Sequence, residues 1–429
     1  MSAVLPEFSW GLGIEDTFIP QTRPGLRPLD EYELTAHYRL WREDFDLLGE
    51  AGAQHVRWGV PWYKVNPAPG QFDWSWMDEA LDHLVNKVGC IPIIDLMHYG
   101  TPLWMENAFI NHAYAERNAE YAYAFAERYR DLVRYYTPLN EPMVNALFCG
   151  RLGQWPPHLE GDDGYVKVML PVCRGVALTE QALRAANPDA VIVQVEAVEY
   201  HHSPEPDLAE HVEMEQAHVF LPYDLFTGRV GAGHPLLPFL ERNGAAEGEL
   251  RWLQEHPIRV DIFGVNYYAV SGGMWRRGDD GQPAYTRGVT SAQLGDVLRM
   301  VWERYGLPMI LTETAATGSV EARIRWMDET VAQVRQAQAD GIPLHGYTWW
   351  PLFDMIEWDY RLESGPLFRY NMPVGLWANK FKVTGALNAW AMDEDGAGQW
   401  GPHFAGLDEL TRERTPLADH FRAYATGGR

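Results

Sequence analysis

Cysteine is scarce in this sequence, with three residues among 429. The three thiols, Cys90, Cys149 and Cys173, have no metal-ligand spacing, and an odd number of cysteines cannot all pair within one chain. We therefore expect buried free thiols in a reducing compartment, and no framework of disulfides.

Basic residues are few as well, since 35 lysines and arginines stand against 59 aspartates and glutamates, for a formal net charge of −24. Nucleic acids and anionic membranes attract proteins through lysine and arginine, so this balance argues against both as partners. No run of apolar residues approaches the length of a transmembrane helix, and residues 1–7 lack the basic and apolar regions of a signal peptide. The sequence predicts a soluble cytoplasmic protein and leaves self-association into a homo-oligomer open.

Apolar and aromatic residues are plentiful, at 46% and 13% of the chain, and they fall into eight short runs that predict β-strands. These strands are predicted at 8–14, 55–60, 91–96, a run ending at 140–141, 190–195, 261–268, 309–312 and 344–349. Helical periodicity occupies the stretches 31–51, 73–88, 113–133, 165–186, 292–305 and 320–339. Residues 201–257 form a less regular stretch.

Alternating strands and helices predict a parallel sheet with helical crossovers, and eight repeats favour an α/β fold of the closed (β/α)8 type, a TIM barrel. A doubly wound open sheet is the alternative, but Gly11 and Gly13 lack the third glycine and the following helix of its phosphate-binding turn. No repeat or low-complexity tract marks a domain boundary. We therefore predict a single domain over residues 1–429, with an extension of about 377–429 packed on the barrel.

Polar and aromatic side chains collect where the predicted strands end, which is where the active sites of such barrels lie. Glu141 and Glu313 end the fourth and seventh strands and would face each other across the barrel mouth, and Pro142 is expected to hold Glu141 extended. The other residues at strand ends are Glu15, Asp16, Arg57, His98, Tyr99, Asn140, Asn266, Tyr267, Tyr268, Trp349 and Trp350. No cluster resembles a metal site and no glycine-rich loop supports phosphoryl transfer, so we predict neither a metal nor a cofactor.

Two carboxyl groups among hydrogen-bonding and aromatic residues suit the cleavage of a glycosidic bond. One acid protonates the leaving oxygen while the second carboxylate attacks or supports the anomeric carbon. Their pKa values have to differ, and an arginine beside one of them would help to keep it ionised. A solvated glutamate at an ordinary strand end is the alternative interpretation of each residue taken alone.

Two short motifs carry a more specific indication. Residues 137–142 read T-P-L-N-E-P and residues 311–314 read L-T-E-T. They resemble the T-x-N-E-P acid/base motif and the I-T-E-N nucleophile motif of family 1 of the glycoside hydrolases, the β-glucosidase family. Further segments at 8–11, 57–59, 261–268 and 350–358 are similar to that family in the same order, whereas 200–257 and the C-terminal tail match poorly.

The resemblance implies a retaining exo-β-glycosidase acting by double displacement on a small glycoside or oligosaccharide. Glu141 would be the general acid/base and Glu313 the nucleophile, with the two carboxyl groups about 5 Å apart. Arg57 is expected to keep Glu313 ionised, and Tyr268, or its neighbour Tyr267, to orient it. The residues expected to bind the sugar are Glu15, Asp16, His98, Tyr99, Asn140, Asn266, Trp350, Glu357 and Trp358.

Several departures from the family pattern leave the identity of the sugar open. The glutamine that follows the family's first strand is absent, so Glu15 or Asp16 is expected to replace it. The family's H-W-D is His98-Tyr99-Gly100 here. The family's R-F-S is residues 57–59, which read R-W-G, and its asparagine after the nucleophile is threonine.

Three other interpretations bear on the function. Arg361 and Arg369 are too scattered to predict an enzyme for phosphorylated sugars. A transglycosylase on the same scaffold stays open, because an aromatic acceptor site would favour transfer over hydrolysis. A non-catalytic carbohydrate-binding protein also stays open, because the sugar contacts of the first and third strands are altered.

Overall fold

The computed structural model describes residues 5–381 and 410–428. Eight strands form its centre: β1 (Ser9–Gly13), β2 (His55–Gly59), β3 (Ile91–Asp95), β4 (Tyr135–Thr137), β5 (Val191–Ala197), β6 (Ile262–Asn266), β7 (Met309–Thr314) and β8 (Leu344–Trp349). Each strand pairs in parallel with its neighbours in chain order, and β8 pairs with β1 to close the barrel. The predicted (β/α)8 barrel is confirmed.

The strands are apolar because the barrel interior covers one face and the helices cover the other. Every residue of β2 and of β7 is buried. The strand β7 runs two residues further than predicted, so that Glu313 lies within it and pairs in register with Asn266 of β6. The side chains at these strand ends are therefore held by the sheet and not by a mobile loop.

Helices surround the barrel. They are α1 (Glu31–Leu34), α2 (His37–Ala51), α3 (Trp62–Val65), α4 (Ser75–Asp82), α5 (Tyr114–Tyr129), α6 (Pro142–Ala146), α7 (Gly161–Ala186), α8 (Ala209–Phe226), α9 (Leu237–Arg242), α10 (Glu247–Glu255), α11 (Leu294–Tyr305), α12 (Val320–Ala339) and α13 (Pro416–Ala425). Turns of π-helix extend α4 at His83–Val88 and α6 at Leu147–Arg151.

Two expectations about helices are wrong. The helix predicted over 31–51 is two helices, because Ala36 adopts the left-handed conformation (φ 57°) between them. Residues 201–257 are largely helical, as α8 to α10. The helix α8 was not recognised because residues 219–226 are buried on all sides and leave no polar face that would mark a helical period.

Small sheets follow the carboxyl ends of several barrel strands. The strands Tyr200–His202, Gly272–Arg277 and Pro283–Arg287 form one sheet after β5 and β6. Phe18–Ile19 pairs with Leu29–Asp30 after β1, and Met355–Ile356 pairs with Asn371–Met372 after β8. These additions build up the end of the barrel on which the predicted site lies.

The C-terminal residues return to the first helices. Trp377–Lys380 pairs with Thr411–Arg414, and the Tyr424 ring of α13 stacks on Trp10 of β1 with 5.2 Å between centroids. Residues 382–409 of the predicted extension lie outside the described residues. A single domain over 1–429 therefore stays a prediction.

Two further expectations from composition concern the thiols and membranes. Cys90, Cys149 and Cys173 are free and buried. Among residues 5–381 and 410–428, none of the helices combines the length and the apolar character needed to cross a bilayer.

Candidate active site

Glu313 lies at the end of β7 and is nearly enclosed, with 4% of its surface exposed. One carboxylate oxygen accepts a hydrogen bond from the hydroxyl of Tyr268 at 2.5 Å, and the other accepts from the guanidinium of Arg57. The hydroxyl of Tyr267 donates instead to the carbonyl of Thr290, on the far side of the strand. Of the two tyrosines considered, Tyr268 is the one that contacts the carboxylate.

Arg57 extends from β2 across the barrel mouth and is fully buried. Besides Glu313, it donates to the Asn140 side-chain oxygen at 2.6 Å and to both oxygens of Asp95, at 3.2 and 2.6 Å. Sequence reasoning missed Asp95. Its signal was an aspartate at the end of the apolar run 91–94, because a carboxylate in a strand that is covered on both faces needs a cationic partner.

Glu141 follows β4 and precedes α6, and its side chain is again close to fully buried, at 7% exposed. One oxygen accepts from the Asn266 amide at 2.7 Å and the other from the hydroxyl of Tyr99. The expectation that Pro142 holds it extended is wrong, since Glu141 is left-handed with φ 46° and ψ 68°. Its N–H donates to the carbonyl of Val195 in β5 at 3.2 Å, and this contact helps to hold the turn that starts α6.

Asn140 joins Arg57 to the residues at the end of β3. Its oxygen faces the guanidinium, so its amide nitrogen faces Nε2 of His98 at 2.9 Å and the hydroxyl of Tyr99 at 3.0 Å. Because the amide nitrogen can only donate, Nε2 of His98 is the acceptor and Nδ1 carries the hydrogen. Nδ1 lies 2.9 Å from a carboxylate oxygen of Asp16.

Glu15 and Asp16, the predicted substitutes for the missing glutamine, have different surroundings. Glu15 accepts a hydrogen bond from Nε1 of Trp350 at 2.7 Å, and this contact helps to fix the plane of the indole ring. That ring stacks on His98 with 5.7 Å between centroids, and the guanidinium of Arg57 lies over it at 4.8 Å. Trp350 is 2% exposed, so it lines the enclosed part of the site.

Asp16 points towards β2. Burial raises the pKa of its carboxyl to about 6, although the neighbouring His98 lowers it. A Cβ atom at Gly59 would lie 1.5 Å from Oδ2 of Asp16, so this carboxylate requires glycine at the end of β2. Asp16 thus fills the space of the side chain that the R-F-S pattern would place there.

Asp16, Asp95 and His98 each offer one ligand atom, and these atoms lie within 4.8 Å of one another. The donor set would suit a divalent cation in its chemistry. However, both oxygens of Asp95 bind the guanidinium of Arg57, whose positive charge repels a second cation. We therefore assign these three residues to hydrogen bonding and not to a metal.

Other predicted residues lie at the margin of this enclosed cluster or outside it. Glu357 and Trp358 follow the short strand after β8 and are partly exposed. The Trp358 ring packs against Tyr99 and against Trp155, with centroids 5.7 and 5.2 Å apart. Trp155 was not predicted, because only the folding of the loop after β4 brings it to the site. Trp349 belongs to the core, where its Nε1 donates to the carbonyl of Val374.

The charges of the two glutamates interact. Burial raises the pKa of the Glu313 carboxyl, the guanidinium of Arg57 lowers it, and the negative charge of Glu141 raises it again, for a net rise. Two carboxyl groups that affect each other in this way share protons more readily than two solvated ones. The two acids therefore affect each other's ionisation, and the guanidinium of Arg57 contacts Glu313.

Comparison with known proteins identifies the family of this chain. The family model of "Glycosyl hydrolase family 1" matches residues 11–293 and 284–365. A 1,4-beta-D-glucan glucohydrolase of Thermotoga neapolitana is 26% identical over 362 residues, which cover 75% of this chain and 82% of that protein. An aryl-phospho-beta-D-glucosidase of Bacillus subtilis is 24% identical over 384 residues, which cover 75% and 78%.

The fold is also similar to that of a solved structure, the beta-glucosidase from Thermotoga maritima in complex with castanospermine. The TM-score is 0.78 at 19% identity, over 99% of this chain and 98% of that chain. The match to the family model extends from β1 into the loop after β8 and includes both glutamate motifs. The chain therefore belongs to glycosyl hydrolase family 1 and is a glycoside hydrolase that acts on β-glycosides.

Proposed function

We propose that the protein is a retaining exo-β-glycosidase in which Glu313 is the nucleophile and Glu141 the general acid/base. The contacts of Arg57 carry this assignment of roles. Its guanidinium contacts Glu313, whereas the donors to Glu141, Asn266 and Tyr99, are uncharged. Part of the rise in the pKa of Glu313 comes from the negative charge of Glu141, and this part disappears when Glu141 carries the proton of the pair. Contact with Arg57 then favours the negative charge on Glu313.

The reaction would proceed in two displacements. In the first, the Glu313 carboxylate attacks the anomeric carbon while Glu141 donates its proton to the leaving oxygen, giving a covalent glycosyl-enzyme. In the second, Glu141 takes a proton from water, which attacks the same carbon and releases the sugar. The hydrogen bond from Tyr268 supports this role, because it orients the attacking carboxylate.

Removal of a terminal sugar, as opposed to cleavage within a chain, is supported by the enclosure of the site. Both carboxyl groups are nearly closed off from solvent, and the stacked rings of Trp350 and His98 lie beside them. An enzyme that cuts within a polymer needs a groove that is open on both sides. The relatives include a 1,4-beta-D-glucan glucohydrolase and an aryl-phospho-beta-D-glucosidase, and a small β-glucoside is the substrate we favour.

Hydrolysis of a panel of aryl β-glycosides by the wild type and by Glu313→Gln tests the proposal. We expect the variant to lose at least about 10³-fold in kcat, since it lacks the attacking carboxylate. Glu303→Gln, at an exposed position of α11, is the matched control and should retain full activity. Azide should rescue Glu313→Gly and give the α-glycosyl azide. Equal kcat for Glu313→Gln and the wild type would refute the assignment.

A further inference from the structure

The hydroxyl of Tyr99 lies between the two residues that the proposed mechanism needs most. It donates to one oxygen of Glu141 and accepts from the Asn140 amide at 3.0 Å. Burial and the charges of Glu141 and Glu313 raise the pKa of this phenol well above its usual range, so it keeps its proton. The Tyr99 side chain is enclosed, with 2% of the residue exposed.

The backbone of Tyr99 is held in an unfavourable conformation. Its φ of 76° lies in the left-handed region, which costs free energy for a residue with a bulky side chain. The next residue is constrained as well, because a Cβ atom at Gly100 would lie 2.2 Å from the carbonyl oxygen of Phe18. The Tyr99 ring packs between Trp155 and Trp358, at 4.9 and 5.7 Å between centroids.

The phenol covers one oxygen of the Glu141 carboxyl group. The hydroxyl of Tyr99 donates to that oxygen, and the Asn266 amide donates to the other. Both polar atoms of the Asn140 side chain also have partners. The oxygen accepts from Arg57, and the amide nitrogen donates to His98 and Tyr99. A sugar that binds these two residues has to replace the contacts of the phenol.

On the basis of the proposed function, we propose that Tyr99 is a specificity-determining residue. Its hydroxyl occupies the place of a sugar hydroxyl between Asn140 and Glu141. The phenol makes the contacts that a sugar hydroxyl would make, accepting from an amide and donating to a carboxylate. A glycone therefore binds only by displacing it, and it must offer a hydroxyl that both donates and accepts at this point. Glycones without such a hydroxyl leave one oxygen of Glu141 and the Asn140 amide without this partner and are rejected.

Three variants test the proposal. Tyr99→Phe removes the hydroxyl alone, and Tyr99→Gly removes the whole side chain while suiting the left-handed backbone. Tyr267→Phe is the matched control, because its buried hydroxyl contacts the Thr290 carbonyl and not the site. Calorimetry gives the Kd of deoxynojirimycin, a sugar mimic, without any turnover. Hydrolysis of 4-nitrophenyl β-D-glucopyranoside gives KM and kcat separately.

We expect Tyr99→Phe to bind deoxynojirimycin about 5- to 10-fold more tightly than the wild type, because the inhibitor no longer competes with one internal hydroxyl. Tyr99→Gly should also bind it more tightly, KM should fall more than kcat in both variants, and Tyr267→Phe should match the wild type. Weaker binding by Tyr99→Phe would make the phenol a direct ligand of the sugar and overturn the proposal, and so would unchanged binding. A wild type that binds the probe but hydrolyses no glycoside would refute the proposed function instead.

Discussion

Asp16 and Gly59 compete for the same volume, and substitution of both residues measures that competition. A Cβ atom at Gly59 would lie 1.5 Å from Oδ2 and 2.3 Å from Cγ of Asp16. The variant Gly59→Ala can therefore fold only if the carboxylate leaves its position. The Asp16 side chain is 5% exposed and 2.9 Å from His98, so it has little room to move and loses its contact with His98 when it does.

The expected cost of Gly59→Ala follows from these two losses. Forcing extra volume into a packed site costs about 1–3 kcal/mol, and losing a hydrogen bond to a charged group costs about 1.5–3 kcal/mol. In the background Asp16→Ala only the Cβ atom of residue 16 remains, at 2.9 Å, and a small backbone shift relieves that contact. We therefore expect Gly59→Ala to lower the free energy of unfolding by about 3 kcal/mol alone and by about 1 kcal/mol in that background.

Urea unfolding at 25 °C of the wild type, the two single variants and the double variant measures the coupling. Gly248→Ala is the control, because a Cβ atom there meets nothing within 4 Å and the residue lies in α10. It should leave the protein as stable as the wild type or slightly more stable. If the two single effects add to within about 0.5 kcal/mol of the double variant, the steric coupling of Asp16 and Gly59 is refuted.

Two more predictions concern the partners of Glu313 and Arg57. Tyr268→Phe removes a hydrogen bond that lowers the pKa of Glu313, so the acidic limb of kcat/KM should move to higher pH, with kcat/KM falling about fivefold more at pH 5 than at pH 9. A limb that stays in place, as it should in Tyr267→Phe, would contradict this. Asp95→Asn removes one of the carboxylates that pair with the buried Arg57 and should lower the free energy of unfolding by about 3–5 kcal/mol in urea, whereas Asp78→Asn, which breaks the exposed pair with Arg128, should cost less than about 1 kcal/mol. Equal losses would contradict the role of Asp95.

Much of the barrel follows from local patterns in the sequence. Strands such as 91–95 are recognisable because burial on both faces selects a continuous apolar run. The interruption at Ala36 is not recognisable, because alanine favours helices and a left-handed alanine is held by tertiary contacts. The helix α8 is not recognisable for a different reason, since complete burial of its second half removes the amphipathic signal.

The candidate site could likewise be predicted only in part. Strand ends place Glu141, Glu313 and Arg57 near one another, because parallel strands of a barrel bring their carboxyl ends together. The partner of each charge depends on side-chain direction across the barrel, so neither the contact of Asp95 with Arg57 nor the close approach of Asp16 to Gly59 was predicted. The orientation of Tyr99 could not be predicted from the sequence, since a left-handed tyrosine has no signature there.

The contacts of Arg412 have a consequence for the order of events in biosynthesis. This residue donates to the carbonyl of Thr35 at 2.8 Å, next to the left-handed Ala36, and to both oxygens of Asp44 in α2, at 2.8 and 3.0 Å. Residues 35 and 412 are separated by 377 positions in the chain. The helices α1 and α2 therefore lack this contact until a segment 377 positions further along the chain has been made, and their part of the fold is completed late.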